Sequence, residues 1–164
     1  MSDIGIVTEG SLSHFGNIAF ANKYRLRRMW LVSPWITAEG SRYDPISLLI
    51  EASKFRNCSV HLLTRPPRES WHLKAVQFFR ANLKPTVLYS AHLHAKLYIL
   101  DCDGFRYAML GSPNLTRRAD VENRELAVEF RTSSTNRSDD VSAMIDELIS
   151  FATFLMSDPD AVLA

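Results

Sequence analysis

The spacing of apolar and polar positions changes several times along the 164 residues, and each change marks an element. Positions 9–21 mix the two at a spacing that predicts a short helix, with Ser11 or Ser13 near its start. MWLVSPWI (29–36) is a continuous apolar run closed by turn residues and predicts a buried strand. A helix is expected over 45–56, with Asp44 as its cap and Pro45 at its first position. CSVHLLT (58–64) reads as the next buried strand, 69–82 as a helix and 86–89 as a short strand. Residues 95–101 alternate and are rich in Leu, Tyr and Ile, a strand pattern, and 105–111 repeat it after Asp103-Gly104, a strong hairpin signal. Strands alternating with helices argue for an α/β fold with parallel pairs.

The chain closes with a strand pattern at 124–132, a polar loop at 133–138 and an amphipathic helix over 140–156. That helix carries Val141, Met144, Ile145, Leu148, Ile149, Phe151, Ala152 and Leu155 at helical spacing. Core is the first reading of this stripe and a dimer surface the second. No internal repeat and no long linker divides the chain, so a single domain over 1–164 is expected.

Candidate chemistry concentrates between His94 and Glu125. Side chains two apart on a strand point the same way, so an imidazole (His94) and an ammonium (Lys96) should share one face. Gly111 lets the backbone turn, Ser112 is a good helix cap and Pro113 suits a first helical position, which predicts a short basic helix whose start could seat an anion. Asn114 and Ser112 add neutral donors there. A nucleophile or base, a fixed cation and two donors around an anion seat describe a phosphate site. Asp101 is seven residues past His94, so alternation turns it away from that site, toward a supporting role and a basic partner.

His94-x-Lys96, four residues, Asp101, then Gly111-Ser112-x-Asn114 and Asn123-x-Glu125 resemble the signature of the phospholipase D superfamily. The resemblance implies a phospholipase D-like fold, a mixed sheet flanked by helices on both faces. It also implies metal-independent phosphodiester chemistry through a phosphohistidine on His94, with no cofactor. Lys96 and Asn114 would hold phosphate oxygens, Glu125 would orient a histidine, and Ser112 would be a cap first and a phosphate contact second. Members bring two signatures together and this chain has one, so a homodimer with one site across its two-fold axis is expected. A second HxK, His72-x-Lys74, lacks the Asp and the GSxN and falls on a predicted helix, where residues two apart do not share a face. His92 is read as exposed or supporting, and His14 and His61 as structural.

Charge changes this picture little. Net charge is +1, with six acidic residues and no Lys or Arg in 139–164, so the remainder is basic. A basic body suits an anionic polymer, though ordinary proteins show as much. Lys23 to Arg28 holds four basic residues in six, more simply a solvated strand edge than a nucleic-acid patch. Arg65, Arg68 and Trp71 follow a strand's carboxyl end, where open α/β sheets bind ligands; a proline-bounded loop with solvated arginines is the plainer reading. Arg117 and Arg118 lie beside the signature. Cys58 and Cys102 are too few for a disulfide framework or a cysteine metal site and read as reduced thiols. There is no apolar run of membrane-spanning length and no basic-then-apolar start, which points to the cytoplasm and away from stable membrane association.

Short single-signature members of the superfamily most resemble its nucleases. The expectation is therefore a nuclease acting on DNA, with RNA open. A phospholipid-cleaving or transferring enzyme is the second reading, and a nucleic-acid-binding subunit with little turnover the third. No sequence-recognition module is evident, so a partner such as a subunit of a restriction or defence assembly would supply specificity.

Overall fold

The computed structural model describes residues 3–21, 24–37, 45–133, 139–158 and 162–163. Asp44, the expected helix cap, and 134–138, most of the expected polar loop, lie outside them. The elements are β1 (Ile4–Val7), α1 (Ser11–Ala21), β2 (Leu26–Val32), α2 (Pro45–Arg56), β3 (Ser59–Thr64), α3 (Ser70–Leu83) and β4 (Thr86–Tyr89). They continue with β5 (Leu97–Cys102), β6 (Phe105–Gly111), α4 (Arg117–Val121), β7 (Ala127–Ser133), α5 (Asp139–Ser157) and β8 (Val162–Leu163).

One sheet of eight strands runs β1-β7-β6-β5-β2-β3-β4-β8. The pairs β2–β3 and β3–β4 are parallel and every other pair is antiparallel, so the sheet is mixed. Strand alternation separates two cores. Met29, Leu31, Leu62, Tyr98, Leu100, Tyr107 and Met109 point to the face covered by α1, α2 and α3. Trp30, Val32, Leu63, Leu97, Ile99, Ala108 and Phe130 point to the face covered by α5. On the first face Phe15 of α1 wedges against Tyr98 and Tyr107, with ring centroids 5.6 and 5.8 Å apart. The two-sided burial explains why the central strands read as apolar runs and not as clean alternation.

Helices are held down by polar ties as well as by packing. The buried Asp120 carboxylate of α4 accepts from Leu12 N at 3.0 Å and Ser13 N at 2.9 Å, capping α1 from 107–108 residues away. The helix begins at Ser11, as expected, and its capping acceptor comes from another element. On the other face Arg106 of β6 bonds Asp146 and the Ser142 hydroxyl of α5. His14 bonds Glu129 at 2.8 Å and His61 stacks on Trp30 at 5.6 Å. Burial would raise the Glu129 carboxyl, but hydrogen bonds from Arg131, His14 and Tyr107 outweigh it and hold it below the usual range.

Several expectations shift. The strand predicted over 29–36 begins at Leu26 and ends at Val32, because Ser33-Pro34 turns the chain out of the sheet. The α5 stripe is divided: Val141, Ile145 and Ala152 are core, whereas Met144 and Phe151 are exposed. β1 was not expected; its four residues are too few to show a period. Cys102 is buried and Cys58 half-buried, with no disulfide between them. Among the described residues no helix is long and apolar enough to cross a membrane.

Candidate active site

Register brings the segments of His94 and Lys96, of Ser112 and of Glu125 together at one end of the central strands, without Asp101. Leu97 opens β5 opposite Leu110 of β6 and Val32, the last residue of β2, while Gly111 closes β6 opposite Ala127 of β7. Lys96, Gly111 and Leu126 are thus neighbours at the sheet's rim, linked by Gly111 N to the Lys96 carbonyl and Ser112 N to the Leu126 carbonyl. His94 and Lys96 precede the strand that was expected to include Lys96, but alternation persists there. Leu93, Ala95 and Leu97 all pack into the α5-side core, which turns the even-numbered side chains the other way.

His94 is exposed, and its Nε2 accepts from an Arg65 guanidinium N–H at 2.8 Å. That bond requires an unprotonated Nε2. Arg65 also donates from Nε to the Leu93 carbonyl at 2.8 Å and lies over the Trp35 ring at 5.3 Å. Lys96 Nζ donates to the His94 carbonyl at 3.0 Å.

The GSPN segment does not start a helix, which corrects the reading of Ser112 as a cap and Pro113 as a first helical residue. Helix α4 begins at Arg117, and Thr116 is its cap, accepting from Ala119 N at 3.2 Å. The helix is one turn and a half, and 112–115 are spent elsewhere. Ser112 Oγ donates to Glu125 and accepts from Leu126 N at 3.0 Å. Leu115 N donates to Ser33 Oγ at 2.9 Å, Tyr98 Oη donates to the Pro113 carbonyl at 2.7 Å, and Ile36 bridges Leu115. These ties clamp the loop to the end of β2, and burial pushes the Tyr98 phenol well above its ordinary range. Gly111 is required by space: a Cβ there would stand 2.2 Å from the Leu126 carbonyl oxygen.

Asn114 Oδ1 is buried and has no partner among the described residues, so this amide keeps hydrogen-bonding capacity in reserve. Glu125 bonds Ser112 and, at 3.1 Å, Asn123 Nδ2; no bond to His94 is among its contacts. Asp101 pairs with Arg28 at 2.7 Å at the opposite end of β5, away from His94. His92 is exposed.

Beside Asn114 opens a cleft of about 550 Å³ lined by Trp35, Trp71, Asn114, Arg117, Arg118 and Asn123, with Glu69 and Glu122 also at its wall. Arg118 is tied to Glu122 at 3.1 Å. Arg68 is exposed and is not among the residues lining this cleft. Trp35 was missed by sequence reasoning because it ends an apolar run; the Ser-Pro before it was the signal that it leaves the sheet. Among the described residues no group of three or more His, Cys, Asp or Glu is placed to hold a metal ion.

No protein-family model matches the chain, and no curated protein matches it by sequence. Its shape does match solved structures. Nuc from Salmonella typhimurium, a phospholipase D family member, superposes with a TM-score of 0.61 at 18% identity over 90% of each chain. NucT from Helicobacter pylori gives 0.67 at 12% identity over 98% of each chain. A phosphatidylserine synthase from Haemophilus influenzae gives 0.58 at 11% identity, covering 98% of this chain and 39% of that one. The fold expected from the sequence, a phospholipase D-like mixed sheet with helices on both faces, is the fold of this chain.

Proposed function

We propose that this chain, with its phospholipase D-like fold, is a metal-independent phosphodiesterase that cleaves nucleic acid, DNA in the first place, through a covalent phosphohistidine on His94. The observation that supports the reading is that the segments carrying His94 and Lys96, Ser112, and Glu125 meet at one rim of the sheet, with Asn114 two residues after Ser112. His94 Nε2 has its lone pair directed at a donor, Arg65, as an attacking nitrogen needs before a phosphate displaces that donor.

In the first step Nε2 of His94 attacks phosphorus, the bond to the leaving oxygen breaks, and its electron pair goes to that oxygen, which takes a proton from a second histidine. In the second step that histidine removes a proton from water, the hydroxyl oxygen attacks phosphorus, and the P–N bond breaks. Lys96 and Asn114 offer the charge and the amide N–H for the non-bridging oxygens. The second histidine is His94 of the partner subunit, so the site works as a dimer. Glu125, held by Ser112 and Asn123, supports an imidazole from one subunit or the other. Val121 and Leu126, 63% and 55% exposed, line one hollow with Glu125 and offer apolar surface for a second copy to cover. Arg65, Arg117 and Arg118 supply charge for the strand's phosphates, Asp101 acts only through Arg28, and a partner subunit of a larger assembly would add sequence selectivity.

The test is cleavage of labelled single- and double-stranded DNA in excess EDTA, with wild type beside His94→Ala. Cutting that survives chelation and disappears in the variant is expected. Cutting that needs a divalent ion, or that persists in His94→Ala, would sink the mechanism. Sedimentation of the same samples reads the dimer.

A further inference from the structure

We infer that the cleft between Trp35, Trp71 and α4 is a nucleobase-stacking subsite, so that the strand reaching His94 is bound with at least one base unpaired. The inference rests on the nuclease reading of the neighbouring site and names the form of its substrate.

Trp71 is 43% exposed although it is a large apolar ring, and its exposed part lines the cleft. It is nevertheless held firmly. His72, fully buried, stacks on it at 5.4 Å and 20°, and His72 Nε2 is fixed by Thr64 Oγ1 at 3.0 Å. Trp35 adds a second ring, 6.0 Å from Trp71 and 5.6 Å from His72. An indole stacked on a buried His72, packed beside Trp35 and still 43% exposed presents a held aromatic surface, with little rotamer freedom left to lose on binding.

The platform is joined to the reacting residue. Arg65 lies over Trp35 at 5.3 Å and bonds His94 Nε2 at 2.8 Å, so one side chain spans from ring to nucleophile. A ligand on the rings is therefore next to the phosphate on His94. Arg117 and Arg118 line the cleft with the amides of Asn114 and Asn123, beside Glu69 and Glu122, and Arg65 reaches its Trp35 wall. Flat aromatic faces, amides and guanidinium groups along one cleft suit the base, its edge and the backbone of a single strand. Inside a duplex both faces of each base are covered by its neighbours, so away from the duplex ends an indole face can be used only by a base outside the stack.

The test reads binding, so that it does not depend on turnover. Anisotropy of a fluorescein-labelled single strand is titrated with His94→Ala protein in EDTA, using the intact strand, a set with one abasic nucleotide at successive positions, and the duplex. One abasic position is expected to weaken binding roughly tenfold to a hundredfold, and the duplex to bind more weakly than the strand. Trp71→Ala should lose the same factor on the intact strand and almost nothing more on that abasic strand, while Trp71→Phe keeps most of the affinity. Trp71→Leu, which fills similar space without a π face, should behave as Trp71→Ala and guards against a folding defect. A flat abasic series, equal losses on intact and abasic strands, or tighter binding of duplex overturns the inference. So does Trp71-dependent binding to phosphatidylglycerol vesicles with no binding of oligonucleotides. Absence of His94-dependent cutting in the EDTA assay bears on the nuclease reading and leaves this binding result to stand or fall separately.

Discussion

The chain contains the triplet histidine-any-lysine twice, and the two copies end in opposite environments. His94 and Lys96 sit at the rim of the sheet, where an extended backbone turns both away from the core. His72 and Lys74 sit in α3, where a helical backbone buries the imidazole completely and leaves the lysine in solvent. Identical letters thus yield an accessible nitrogen in one place and a packing element in the other. Backbone period decides which, and the surrounding strands decide what each side chain meets.

The sharpest way to break the comparison is to remove the lysines. Lys96→Ala is expected to lower kcat by about 10²–10³-fold, the scale of losing one fixed transition-state charge or donor, whereas Lys74→Ala leaves the rate unchanged. Steady-state kinetics on the labelled strand read both, and equal effects would refute the assignment. The histidines invert the pattern for stability. His72→Ala should cost about 2–4 kcal/mol, the range for emptying a buried site, because it also removes the brace behind Trp35 and Trp71. His94→Ala, at an exposed position, should stay within about 0.5 kcal/mol of wild type, and urea melts compare the two.

Acid sharpens the same contrast. Burial lowers the His72 pKa from its ordinary 6.5, and burial, then Arg28, does the same to His61. The unfolded chain takes up these protons first, so their stability contribution is complete above about pH 6.5 and is lost as pH falls toward the lower folded values. Melts between neutral pH and pH 5 should show that loss, and His72→Gln should remove the His72 share of it and leave that of His61. The smallest effect is expected at Asp101. Its partner Arg28 is 52% exposed, so Asp101→Ala should cost no more than about 1 kcal/mol and leave kcat near wild type. A collapse in kcat would show that it acts on the site directly.

Much of this was legible in the chain. The hairpin at Asp103-Gly104 pairs Cys102 with Phe105, as two turn residues between alternating runs require. The helix at 45–56 and the strands at 86–89 and 105–111 have the expected bounds. Errors gathered where local chemistry was outbid by distant partners. Ser112 and Pro113 have the form of a helix start, yet Glu125, Leu126 N and Tyr98 bind that segment first. The start of α1 at Ser11 was legible, whereas its cap, Asp120, comes from across the fold.

By itself the sequence determined the set of reactive groups, their order, and the strands and helices that carry them, because periodicity and turn chemistry are local properties. Tertiary structure alone decided that Arg65 meets His94, that Glu125 meets Ser112, and that Trp35 and Trp71 share one wall. Those contacts depend on which strands lie side by side and in what register. Strand order and register follow from packing two cores on the two faces of one sheet, a choice made by the whole chain at once.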